Sequence, residues 1–326
     1  MPMTAEDVVR RWSVKNTTQT LSQIKVTKMP IFDEYFKANA EGVTGGTVTV
    51  KIEKGSGLVL ESISPDAEHL VHERPTVYEV EVRLPRFALD NTIMASTLNE
   101  IASLEAESQP IQLAAEIGKV QKEQRLSIDT TIEYMSTGAL FGKVMDGKGK
   151  TLFEFASTRS QVEFKSNKPL INSITEIDDA MVEELGENPG YKIKCGRGFL
   201  NHIAALATAE DLFDKKMASW VTDGEKRLLE VHGVRFEAYV KKYKNTAGQL
   251  VTFVGDTEMA AIPNSSAFTK FYYGRADHTE AVKREPTLFF GATEVLPKGR
   301  GVSVIGESKP LPVCLNPNAV IRGKKA

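Results

Sequence analysis

A stretch of helical periodicity from Ser108 to Thr137 constrains this chain more than any other feature in it. Leu113, Ile117, Val120, Ile128, Ile132 and Met135 recur at helical spacing and form one apolar stripe. Glu116, Lys119, Lys122, Glu123, Arg125, Asp129 and Glu133 fall on the other faces, which read as solvated surface. Ser108 stands where a cap would accept from the first turn, and Pro110 fits that turn because its missing N–H has no partner there. At 1.5 Å per residue, about 28 residues make a rod of roughly 42 Å, over twice the usual helix. A rod with so narrow a stripe suits the spine of something extended, so the pattern points to assembly before catalysis.

What precedes the rod has little core of its own. Residues 1–46 hold a short helical pattern through Trp12, polar Asn16–Gln19, apolar Ile24–Val26 and aromatic Ile31–Phe36, and end in Gly45-Gly46. Such a stretch is either disordered or an arm that orders against a neighbour. Thr47–Ile52 alternates, Gly55 and Gly57 interrupt, and the strand pattern resumes to Ile63. In Thr76–Leu84 one face holds Tyr78, Val80, Val82 and Leu84, the other Glu79, Glu81 and Arg83. A polar tip with Pro65, Asp66, His69, His72 and Pro75 lies between them. The pattern predicts a long hairpin-like loop. Two strands alone are marginal in water, so the loop must lean on another surface.

Downstream, a helix is expected around Ile93–Glu105, the long helix unwinds from Gly138 to Lys143, and Asp146–Gly149 makes a turn. Thr151–Ala156 and Val162–Phe164 read as strands, and Asn172–Leu185 as a helix stopped by Asn188-Pro189-Gly190. Tyr191–Lys194 reads as a strand feeding two helices, Phe199–Leu206 and Glu210–Met217. The last third is β-rich: Leu228–Tyr243 kinked at Gly233, Leu250–Val254, Phe268–Tyr273, Pro286–Phe290 and Val302–Ile305. Helices and strands thus share a mixed domain.

A length of 326 residues suffices for two ordinary domains. A net charge of −2 argues against gripping a phosphate backbone as the main task, yet leaves open a container that faces nucleic acid. Cys195 and Cys314 are the only cysteines, so a disulfide framework is out and a reducing compartment is expected. The opening MPMTAEDVVRRW lacks an apolar signal core, and no run nears the roughly eighteen apolar residues of a spanning helix. Neither export nor membrane spanning is expected.

The search for chemistry comes up empty. Gly147-Lys-Gly-Lys-Thr151 resembles a phosphate loop only in part: one register puts Val144 at the first glycine, the other puts Gly149 where Ser or Thr belongs. Cys195-Gly-Arg-Gly198 before a helix could lower a thiol pKa, with His202 as base, but no third orienting residue is identifiable. A tight turn beside a small buried cysteine is the plainer reading. His69 and His72 lack partners at zinc spacing, and neither G-x-S-x-G nor H-E-x-x-H occurs. No catalytic, cofactor-binding or metal residue is assigned.

Three stretches together resemble the major capsid proteins of tailed phages, specifically the lambda-like capsid protein E family. Ser127-Ile-Asp-Thr-Thr-Ile-Glu-Tyr-Met-Ser-Thr-Gly-Ala-Leu-Phe-Gly-Lys143 is similar to the end of that family's spine helix, running into a turn and the strand Thr151–Phe155. Phe236-Glu-Ala-Tyr239 with Phe253–Pro263 resembles its short aromatic strand, polar turn and second strand. Glu307-Ser-Lys-Pro-Leu-Pro-Val-Cys-Leu-Asn-Pro317 resembles its terminal run. The order of elements along nearly the whole chain carries the resemblance.

The resemblance implies an α+β capsid fold of the Hong Kong 97 type. Residues 1–46 would be an N-terminal arm and 47–85 an extended E-loop. Residues 86–168 with 278–314 would form the peripheral domain around the spine helix, and 169–277 with 315–326 the axial domain. The implied function is that of a major head subunit, not an enzyme, building hexamers and pentamers of an icosahedral shell around double-stranded DNA. Implied partners are other copies, a separate scaffolding protein, a portal and a decoration protein, with assembly in the host cytoplasm and residence in the virion. No crosslinking Lys–Asn pair carries over. The competing readings are a cellular compartment shell of the same fold, encapsulin-like, and a cytosolic α/β enzyme.

Overall fold

Residues 109–141 form one continuous helix of 33 residues, longer than their periodicity predicts. In this computed structural model the described residues are 14–24, 27–54, 76–105, 107–155, 157–224, 226–245, 247–265 and 267–326. The chain enters through helix α1 (Val14–Gln23), one wide helical turn (Phe32–Phe36), a 3-10 turn (Lys37–Asn39) and strand β1 (Ala40–Val43). β2 (Thr47–Lys54) and β3 (Thr76–Arg83) make a ribbon, and β4 (Phe87–Met94) passes into α2 (Ala95–Ala102). The long helix is α3 (Gln109–Phe141). Hairpin β5 (Lys143–Met145) and β6 (Thr151–Glu154) follows, then β7 (Val162–Phe164), α4 (Leu170–Leu185), β8 (Tyr191–Cys195) and α5 (Arg197–Ala209).

Strands make up most of the remainder. They are β9 (Ala218–Asp223), β10 (Lys226–Val231), β11 (Val234–Ala238), β12 (Lys242–Lys244), β13 (Leu250–Thr252) and β14 (Glu258–Pro263). β15 (Thr269–Gly274), β16 (Phe290–Val295), β17 (Gly301–Ser308), β18 (Pro310–Cys314) and β19 (Ile321–Lys325) complete the chain.

A seven-stranded sheet, ordered β7-β19-β14-β8-β11-β10-β9, is the central layer. Period-two alternation gives it two buried faces. Met259 and Ala261 of β14 join a core with Ile177 and Met181 of α4 and Phe199 and Ile203 of α5. Ala260 and Ile262, the alternate residues, join the opposite core with Ile132, Met135 and Leu140 of α3 and with Phe32 and Phe36. The first half of α3 lies along a second sheet, β16-β17-β4, where Leu113 and Ile117 meet Ile93, Val302 and Val304.

Several sequence expectations change. Ser108 makes no side-chain cap, because its own backbone is already helical. The long helix does not unwind at Gly138. It ends at Gly142, whose φ of 97° closes it in the left-handed region. Ile93 belongs to β4, which pairs with β17 along its whole length, and the helix begins only at Ala95. α4 stops at left-handed Gly186, ahead of Asn188-Pro189. Glu210–Met217 forms turns, with Asp211 and Lys216 at positive φ, a geometry no helix interior accepts. Leu228–Tyr243 is a hairpin turned at His232-Gly233, and Pro286–Phe290 is not a strand because β16 begins at Phe290. β1, β4, β9, β18 and β19 were not expected at all.

The arm reading changes most. Leu21, Ile31 and Phe36 are fully buried within the same chain, so the described residues of this segment, 14–24 and 27–43, have a core. The expected elements at Thr4–Trp12 and Gly57–Ile63, and His69 and His72, lie outside the described residues, as do Lys25 and Val26.

Gly138 shows why a glycine sits inside a helix. A β-carbon there would stand 2.3 Å from the Lys143 carbonyl oxygen of β5. Alanine ordinarily favours a helix by about 1 kcal/mol over glycine. Here the contact reverses the sign, and Gly138→Ala is expected to lower stability by about 1–3 kcal/mol in denaturant melts.

Candidate functional site on the long helix

Gln121, Gln124, Arg125, Asp129 and Glu133 of α3 sit close to one-turn spacing, and all are buried. Sequence periodicity puts Arg125, Asp129 and Glu133 on a wet face, but residues 14–43 cover it. These side chains hold backbone groups that helix and turn ends leave unpaired. Gln121 Nε2 donates to the Thr17 carbonyl at 3.0 Å. Arg125 donates to the carbonyls of Leu21 (2.7 Å) and Ser22 (3.0 Å), the end of α1, where the helix dipole favours a cation. Its Nε donates to Asp129 Oδ1 at 2.7 Å, and its guanidinium lies 3.4 Å from the centre of the Phe289 ring. Gln124 Nε2 donates to the Val304 carbonyl at 2.7 Å and so ties α3 to β17.

Glu133 is the focus. Its Oε1 accepts the Ile31 N–H and its Oε2 the Phe32 N–H, each at 2.9 Å. The Tyr239 hydroxyl also donates to Oε1. Burial pushes the Glu133 carboxyl pKa up, against the opposing pull of those three donors and of Lys241. Asp129 is raised by burial too, despite Arg125. Lys241 is lowered by burial, with Glu133 and Asp129 opposing.

The far side of the Phe32–Phe36 turn faces the seven-stranded sheet. Glu34 pairs with Lys192 at 2.7 Å and Lys194 at 3.3 Å. Lys194, only 2% exposed, also pairs with Glu237 at 2.5 Å, and Glu237 with Lys226 at 2.6 Å. Burial pushes Glu34 and Glu237 up, but the lysines outweigh it and hold both carboxylates below their ordinary value. β1 then adds to β15 as a parallel strand, and Thr18 Oγ1 both donates to and accepts from the Gly291 backbone, covering the edge of β16.

The ribbon β2-β3 contrasts with this. Its two strands form a sheet of their own, Leu84 N–H donates to the Gly46 carbonyl at 3.0 Å at the root, and Val48, Val50, Val82 and Leu84 are buried in the main core. Val80 is 42% exposed. Beside the root, Arg86 pairs with buried Glu307 at 2.8 Å, and Glu307 also accepts the Asp277 N–H at 2.7 Å.

The residues tested for chemistry are not brought together. The Cys195 thiol is buried, donates to the Glu237 carbonyl at 3.5 Å, and has its pKa pushed up by burial, the reverse of an activated thiolate. His202 Nε2 lies 2.9 Å from the Phe164 carbonyl oxygen. In the glycine-rich turn, the Lys148 and Lys150 amides donate to Asp146 Oδ1 and so do not cradle a phosphate. Among the described residues no three His, Cys, Asp or Glu could hold a metal, and no helix is long and apolar enough to cross a membrane. Sequence reasoning missed Tyr239, Lys241 and the burial of Glu133. Its one signal was the four-residue spacing of Gln121, Arg125, Asp129 and Glu133.

A family model described as phage major capsid protein E matches residues 13–325. No curated protein matches the chain significantly. Among solved structures the chain is similar to an E. coli prophage protein assigned as a capsid protein, at 14% identity and TM-score 0.63, covering 95% of this chain and 99% of that one. It is similar to a phage-related protein from Bordetella bronchiseptica at 8% identity and TM-score 0.50, covering 94% and 95%. The SrpI encapsulin from Synechococcus elongatus shows 10% identity and TM-score 0.52, covering 93% and 89%. Such identities speak to the fold.

The two faces of the turn respond oppositely to pH. Glu133, raised by burial, contributes fully below the ordinary carboxylate value of 4.5 and loses that contribution as pH rises through its raised pKa. Glu34, held low, contributes above 4.5 and loses its contribution as pH falls through its lowered pKa. In denaturant melts across pH, the native chain's margin over Glu133→Gln is expected to shrink towards alkali, and its margin over Glu34→Gln towards acid. Both margins shrinking towards acid would contradict the assignment. Glu133→Ala, which orphans three buried donors, is expected to cost about 3 kcal/mol or more.

Proposed function

The chain belongs to the phage major capsid protein E family, and from that premise we propose how its parts build a tailed-phage head. The subunit has the α+β fold of Hong Kong 97-type capsid proteins and acts as a structural protein. It assembles into hexamers and pentamers of an icosahedral shell that encloses double-stranded DNA without reading its sequence. Residues 1–46 serve as the arm and 47–85 as the E-loop. The peripheral domain is 86–168 with 278–314, and the axial domain 169–277 with 315–326. Supporting that division, the sheet β16-β17-β4 lies along α3, while α4 and α5 cover the seven-stranded sheet. One strand, β7, falls in the peripheral range but joins the axial sheet.

The observation that carries this reading beyond family membership is the ribbon β2-β3. Val48, Val50, Val82 and Leu84 seat the near part of the ribbon in the chain's own core. Val80, however, is 42% exposed and a two-stranded ribbon is marginal in water, so a surface on an adjacent subunit is the support we expect for its outer part. Between copies, on the order of 1,500 Å² of apolar contact at about 25 cal/mol per Å² would contribute tens of kcal/mol before entropy is subtracted. We take the subunit to work by conformation, without catalysis. A scaffolding protein, a portal and a decoration protein are its expected partners, with assembly in the host cytoplasm and a final place in the virion.

The encapsulin likeness favours one alternative, a compartment shell loaded with enzyme cargo. Negative-stain microscopy with sedimentation tests the shell itself: megadalton particles are expected, and small oligomers alone would overturn it. Packaged DNA in native particles separates head from compartment. Deleting residues 50–80 is expected to leave monomers or free capsomers, and intact shells from that deletion would refute the E-loop assignment.

A further inference from the structure

The junction under the arm also supports an element that little else secures. Among the described residues β12 and β13 pair only with each other, and Lys242, Lys244 and Leu250 on them are exposed. Phe253 and Val254 seat its base in the main core, and three side-chain contacts join its foot to α3 and the arm. The Tyr239 hydroxyl donates to Glu133 Oε1. Lys241 Nζ donates to the Lys28 carbonyl at 2.7 Å. Tyr243 stacks on Phe253, with centroids 5.5 Å apart, and meets Tyr134 of α3 at 4.5 Å. The second involves the arm directly, and the first reaches it through Glu133. Glu133 Oε1 serves Ile31 and Tyr239 at once, and Lys241 reaches the arm backbone itself.

We propose that arm docking and the order of the β12–β13 hairpin are coupled through Glu133 and Lys241, so that the seating of the arm decides whether the hairpin stands fixed. The inference goes beyond head building and does not depend on it.

Lifting the arm at residues 28–36 would take two N–H donors from Glu133 and a carbonyl acceptor from Lys241. The mutual attraction of Glu133 and Lys241 remains but restores neither the N–H donors nor the carbonyl acceptor. Arg125 is committed to Asp129 and to the end of α1, and Asp33 adds negative charge beside Asp129. A buried carboxylate and a half-buried ammonium stripped of partners must find water, and water reaches them if Tyr239 and Lys241 move outward with the strand that follows. The two-state element is therefore the hairpin, seated or released, and its equilibrium is biased from the arm. Coupling of this kind is reciprocal, so disturbing the hairpin must loosen the arm equally.

Hydrogen exchange read by mass spectrometry on the full chain tests this. Glu34→Gln weakens the turn at Lys192 and Lys194, away from the hairpin. Its amides at 27–37 and those of β12 and β13 are expected to exchange faster together, by about tenfold, with β16 and β17 unchanged. Tyr243→Ala is expected to raise exchange at 27–37 in return. With Lys241→Met added, which keeps a stem over Phe253 and removes the link to Lys28, the response of the hairpin to Glu34→Gln is expected to fall away. Faster exchange at 27–37 with the hairpin unmoved would overturn the coupling. So would Tyr243→Ala leaving 27–37 unchanged, whatever Glu34→Gln does.

Discussion

One buried carboxylate organises the subunit. Glu133 sits where the long helix, the incoming arm and the chain leaving the central sheet meet, and it accepts a hydrogen bond from each of the last two. A charged side chain in such a place is costly unless it is hydrogen-bonded. Three donors serve its two oxygens, and two are backbone amides, which cannot turn away as a side chain can. The cost of burial thus becomes a demand for one arrangement. An apolar residue at 133 would bury more comfortably and specify less.

The same logic runs along the helix. Arg125 meets the carbonyl end of α1 and Glu133 meets amides at the start of the next turn, so opposite charges eight residues apart receive opposite ends of backbone segments. Glu34, Lys194 and Glu237 repeat it on the sheet side with charge pairs in place of neutral donors. The arm segment is therefore fixed as firmly as a core strand. The ribbon β2-β3 is anchored less evenly, with Val48, Val50 and Val82 in the core and Val80 exposed.

The long helix, the ribbon strands and the α4 helix were legible because periodicity is a local property. Gly57, His69 and the rest of the ribbon tip lie outside the described residues. Glu133 was misread as surface because what covers it lies about a hundred residues earlier. β4 was missed for a related reason: Phe87–Met94 has helix-compatible spacing at its end, and eight residues of pairing with β17, over two hundred positions away, decide the matter. β18 and β19 begin among prolines and glycines that look like loop, and become strands only because β15 and β14 offer partners. The resemblance of the run from Glu307 to Pro317 was visible in sequence. The physical role of Glu307, holding Arg86 at the ribbon's root, was not.

β19 occupies a slot between β7 and β14, parallel to one and antiparallel to the other. Gly323 fits there only because it lacks a β-carbon, which would stand 2.8 Å from the Val162 carbonyl oxygen. Residues 321–325 thus join the edge strand β7 to five strands that are made earlier on the ribosome. A nascent or clipped chain without them keeps the layer from β14 to β9 but leaves β7 detached and β14 with an open edge. The sheet under the long helix is therefore complete only when residues 321–325 have inserted between strands more than fifty positions earlier.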